Sequence, residues 1–157
     1  MSPAPHTPAI DERALAESLV RFADAPGPDT ITDVPFASEV SLGLGDRLLV
    51  RRPAEELIDR DAWVVHAPAG FQGRSGPFSA LDQLADADRT TVSVESYPSC
   101  ANPSRDLAPP AELADLARVS IRPDPAAIST CILWWSVDLY LTASGEITGV
   151  TLDFWDP

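Results

Sequence analysis

The chain has 157 residues, 45% of them hydrophobic and 22% charged, and its 24 acidic against 11 basic side chains leave a net charge of −13. That length suits one hydrophobic core and is short for two, and no apolar run approaches the roughly 18 residues that a membrane helix needs. The negative charge repels phosphate backbones and anionic lipid surfaces, which removes nucleic acid and membranes as partners and leaves basic proteins, cations and neutral small molecules.

Residues 1–8 are rich in proline and read as a flexible leader without the basic and apolar regions of a secretory signal. The expected location is therefore the cytoplasm, with residues 9–157 forming a single globular domain. Thr7 as cap and Pro8 in the first turn begin a helix over residues 8–24, with Leu15, Leu19 and Phe22 along its inner face. Ala25-Pro26-Gly27-Pro28 ends it.

Glu39–Leu42 and Arg47–Val50 read as short strands joined by Gly43-Leu44-Gly45-Asp46, and Ala54–Arg60 as a short helix with Glu55 and Glu56 in its first turn. Trp63–His66 is a short apolar strand. Ser75-Gly76-Pro77 is expected to open a helix over residues 77–87, and Arg89–Glu95 alternates like a strand. Ser96–Pro109, with three prolines, is a loop. Pro110 starts a two-turn helix that turns Leu113 and Leu116 inward, and Val119–Arg122 is a further strand.

The strongest pattern is C-terminal. Residues 131–142 and 147–155 form a long hairpin around Ala143-Ser144-Gly145, a three-residue loop with glycine at its left-handed position. A continuous register would turn Val150, Leu152 and Phe154 outward. One extra residue near Thr148-Gly149, a β-bulge, restores them to the core side opposite Leu139, Val137 and Trp135. The fold expected is α+β: an antiparallel sheet ending in this bulged hairpin, with the N-terminal helix and two or three short helices packed on it.

The same register places Trp134, Asp138 and Tyr140 with Asp153 and Trp155 on the opposite face. Two tryptophans and a tyrosine are more than a solvated face requires, so this face is either a recognition surface or is covered by the helices of residues 8–24 or 77–87. Asp138 and Asp153 lie diagonally across the hairpin, but paired carboxylates need a helper residue to split acid and base roles, and none is implicated. No catalytic residue is assigned.

Gly70–Pro77 is glycine-rich, and Arg74, Ser75 and Gly76 at a helix start suggest a weak anion site. All eleven basic residues are arginine, which removes Schiff-base lysine chemistry and the P-loop lysine. Cys100 and Cys131 fit neither a zinc site nor a CxxC motif, and a reducing compartment disfavours their pairing. No metal and no cofactor are expected, and the oligomeric state is open.

Two functions follow. The first is a non-enzymatic acidic protein that binds a basic protein partner, an immunity- or antitoxin-like inhibitor being one form. The second is a small-ligand-binding domain or enzyme on a cone-shaped curved sheet, with a pocket near His66, Asp138 and Tyr140.

Overall fold

The structure is a computed structural model that describes residues 11–71, 73–86, 92–93, 109–123 and 134–154. Helix α1 (Glu12–Asp24) and the single turn α2 (Pro28–Ile31) precede strands β1 (Phe36–Leu44) and β2 (Arg47–Pro53). Two 3₁₀ turns follow, Ala54–Ile58 and Arg60–Trp63, and then β3 (Val64–His66), β4 (Pro77–Ser79), α3 (Ala80–Asp86) and β5 (Val92–Ser93). A 3₁₀ turn at Ala111–Leu113 leads into β6 (Ala117–Pro123), β7 (Trp135–Leu141) and β8 (Ile147–Phe154).

The expected α+β fold is present, with a mixed sheet in the order β2-β1-β8-β7-β6-β5. Its ladders are antiparallel except between β1 and β8, which run parallel. That pairing joins the first strand of the chain to the last among the described residues. Strands β3 and β4 form a separate antiparallel pair.

Helix α1 begins later than expected. Asp11 is its cap, accepting from the Ala14 N–H at 3.0 Å, while Thr7 and Pro8 lie outside the described residues. Its amphipathic spacing buries Leu15, Leu19 and Phe22, as expected, together with Ala16, Val20 and Ala23. These side chains join Leu81 and Leu84 of α3 on one face of the sheet, against Val40, Leu42, Val119, Ile121, Val137, Leu139, Val150 and Leu152.

The C-terminal hairpin has the expected register. The Thr142 N–H donates to the Glu146 carbonyl at 2.8 Å, the Gly145 N–H to the Thr142 carbonyl at 2.9 Å, and Gly145 has φ 87°. Leu141 faces Ile147 and Tyr140 faces Gly149, so Thr148 is the inserted residue. Beyond it Leu139 faces Val150, Val137 faces Leu152 and Trp135 faces Phe154.

Three short helices are corrected. Ala54–Arg60 forms part of two 3₁₀ turns, because Asp59 adopts an extended backbone that separates them. Pro77–Ser79 pairs with Val64–His66 as a strand, and α3 starts only at Ala80, where the Ser79 Oγ accepts from the Asp82 N–H at 3.2 Å. After Pro110 the chain forms a 3₁₀ turn over Ala111–Leu113 in place of a two-turn helix, with the Leu113 N–H donating to the Pro110 carbonyl at 2.9 Å and the Ala114 N–H to the Ala111 carbonyl at 3.4 Å.

Candidate functional site

Alternation along β7 puts Ser136, Asp138 and Tyr140 on the face away from the helices, beside Thr151 and Asp153 of β8 and Arg118, Ser120 and Arg122 of β6. This face is not an open surface. Trp134 is 0% exposed, Tyr140 1%, Asp138 4% and Asp153 5%. Of the residues expected to form a recognition surface, Trp134, Asp138, Tyr140 and Asp153 lie in a buried, largely polar layer, while Trp155 lies outside the described residues. Helices α1 and α3 are not its cover, since both pack on the other side of the sheet. Leu113 packs here instead, so close to Gly149 that a methyl group at that glycine would stand 2.5 Å from its Cδ1.

The layer is bonded internally. The Ser136 hydroxyl donates to Asp138 Oδ1 at 2.7 Å, and Asp153 Oδ1 accepts from the Phe154 N–H at 2.8 Å. Asp138 stands opposite Thr151 and Asp153 opposite Ser136, the diagonal placement expected, but each carboxylate is tied to a different donor. Arg118, Arg122 and Asp153 engage further groups. Burial raises the Tyr140 hydroxyl above the ordinary tyrosine range; a hydrogen bond with Arg118 opposes that rise, and the Asp138 charge adds to it. The Trp134 indole N–H is buried without an acceptor.

The other expected site residues do not converge. His66 is exposed at the end of β3, opposite Pro77, whereas Asp138 and Tyr140 are buried on β7 between β6 and β8. Arg74, Ser75 and Gly76 precede a strand, so no helix N–H groups face an anion there. The Arg74 guanidinium instead lies 4.4 Å from the centre of the Phe154 ring.

A cleft that sequence reasoning missed lies at the paired 3₁₀ turns. Leu57 and Trp63 are buried, and the Trp63 indole N–H donates to the Leu57 carbonyl at 2.8 Å. Asp59 Oδ1 accepts from the Asp61 N–H at 3.0 Å, which fixes the second turn. With Leu57 anchored inward, its neighbour Ile58 points out. At 38% exposure it is the one exposed large hydrophobic side chain among the described residues.

Ile58 lines an open cleft of about 360 Å³ with Glu55, Glu56, Asp59, Asp61, Arg52 and Ala62. Arg52 is engaged there, its Nε donating to the Ala62 carbonyl at 3.2 Å. The four acidic residues share this lining with Ile58 and are exposed. The signal in the sequence was the pair of glutamates before Leu57-Ile58, but a regular helix would have explained them as favourable first-turn charges.

Among the described residues no three His, Cys, Asp or Glu side chains are grouped to hold a metal ion. No helix among them is long and apolar enough to cross a membrane. Comparison of the chain with protein-family models, curated proteins and solved structures returns no match, so the functional reading rests on its own residues.

Proposed function

We propose that this protein is a non-enzymatic interaction module that takes a basic segment of a partner protein into the cleft around Ile58. One observation carries the reading: the sole exposed large hydrophobic among the described residues lines one cleft with Glu55, Glu56, Asp59 and Asp61. An apolar anchor within a charged rim has the anatomy of a protein interface. The excess of negative charge over the whole chain draws a basic partner toward it. An immunity- or antitoxin-like inhibitor of a basic toxin is one form such a module takes.

The test is titration of the full chain with an amphipathic arginine/leucine peptide, read by calorimetry at about 0.1 M and about 1 M salt, where the Debye length falls from about 10 Å to about 3 Å. Binding should weaken with salt. Ile58→Ser, which leaves every charge in place, should weaken it about tenfold, in keeping with the roughly 1.5–3 kcal/mol available from burying one isoleucine. Binding that depends on salt but ignores Ile58→Ser and the pair Glu55→Gln/Glu56→Gln would reduce the cleft to a patch of ordinary surface charge and overturn the reading.

A further inference from the structure

A second cavity, of about 200 Å³, opens beside the β1–β2 turn and is lined by Leu44, Arg47, Leu49, Ala67, Phe71 and their neighbours in the 67–71 loop. Its walls are braced. The Gly45 N–H donates to the Leu152 carbonyl at 2.9 Å, tying the turn to β8, and the Gly70 N–H donates to the Ala67 carbonyl at 2.8 Å. The Phe71 ring lies edge-on to Phe78 and tilted against Phe154, with centroids 6.2 and 6.4 Å away. The space is thus formed before any ligand arrives, which spares the cost of ordering it.

The arginine at its wall is unlike the others. Arg21, Arg51 and Arg60 pair with Asp33, Glu39 and Asp82. Arg52 bonds a carbonyl, Arg74 lies over an aromatic ring, and Arg13, Arg118 and Arg122 engage other groups. Among the described arginines, Arg47 alone makes no such contact. In a chain with 24 acidic against 11 basic side chains, a cation left without a carboxylate beside an apolar cavity leaves room for an external anion. Even Asp46, its neighbour in sequence, is not paired with it.

We infer that this cavity binds a small apolar carboxylic acid, its hydrocarbon part against Leu44, Leu49 and Phe71 and its carboxylate on Arg47. The volume exceeds the roughly 150 Å³ of a cavity that admits benzene, so a single ring bearing a short acid arm is the right size. Chain-wide negative charge opposes an anion at long range, but screening confines that effect to about 8 Å at physiological salt, and Arg47 is the charged side chain on the cavity wall.

The experiment is titration of the full-length, isotope-labelled protein with phenylacetate and with its uncharged amide, followed by backbone amide NMR. Phenylacetate should shift Leu44, Leu49 and Phe71, and should bind about fivefold more tightly than the amide, the scale of one exposed charge pair. Arg47→Gln should bring the acid down to the amide, while Ala69→Trp, a change at an exposed rim position, should block both with the remaining spectrum unchanged. Equal binding of acid and amide to the unaltered protein, or an acid affinity untouched by Arg47→Gln, would overturn the assignment of the carboxylate. Shifts absent from the cavity residues would overturn the site.

Discussion

Burial keeps the Tyr140 hydroxyl protonated past the pH at which an exposed tyrosine ionises, because charging it would place a phenolate away from water and beside Asp138. The sign of the consequence is definite. With a folded value above an unfolded value of about 10, the contribution to stability is complete below about pH 10 and declines as pH rises through the folded value. The absence of lysine removes one class of group from this window, since all eleven basic residues are arginine, and Tyr97 is the one other tyrosine. Urea unfolding between about pH 9 and about pH 12 should therefore show an alkaline fall that Tyr140→Phe flattens. At neutral pH the same substitution should cost about 1–2 kcal/mol, because Arg118 and Thr151 lose a hydrogen-bond partner. An alkaline limb unchanged by Tyr140→Phe would mean that another group governs it. At this scale the sequence revealed on which side Trp134, Asp138, Tyr140 and Asp153 lie, since a strand's period of two decides that. Whether the side is wet depends on what packs over it, and Leu113, 36 positions before Gly149 (149 − 113), carries no local sign of its target.

Local pairing was legible for the hairpin because its two strands are adjacent in the chain and the hydrophobic alternation admits one bulged register. The parallel contact of β1 with β8 was not, since residues so distant announce no pairing by their spacing. The cleft and the Arg47 cavity were also hidden, as each depends on turn geometry: a 3₁₀ turn exposes Ile58, and a tight hairpin end places Arg47 beside Phe71. Two glycines hold these elements in place by close approach. At Gly43, beside the register shift between β1 and β2, a methyl group would stand 2.1 Å from the Arg47 carbonyl oxygen. The obstacle is backbone, so Gly43→Ala should cost more than about 3 kcal/mol in urea unfolding. At Gly149 the obstacle is the tip of Leu113, and Gly149→Ala should cost only about 1–3 kcal/mol. Leu113→Ala alone should cost about 2–3 kcal/mol through the lost burial. Combined, the two should cost at least about 1 kcal/mol less than their sum, because shortening Leu113 vacates the space the new methyl needs. Strict additivity would show that Leu113 does not cap this glycine.

For the molecule as a whole, repulsion among the surplus carboxylates opposes the exposed ion pairs, and salt weakens both. Arg21–Asp33, Arg51–Glu39 and Arg60–Asp82 all join side chains more than 45% exposed, and such pairs contribute about 0–1 kcal/mol each. Against them stands a net charge of −13, whose self-repulsion penalises the compact state. Repulsion should prevail, so raising salt from about 0.01 M to about 0.15 M, which shortens the Debye length from about 30 Å to about 8 Å, should raise the midpoint of thermal unfolding by a few degrees. The same change should slow association with a basic partner, because the field that destabilises the fold is the one that steers the encounter. Calorimetry and stopped-flow association over one salt series measure the two effects together. Stability rising while the association rate falls would assign both to the acidic surface. A midpoint that fell with added salt would instead make the three ion pairs the stronger term and remove the proposed tension between folding and recognition.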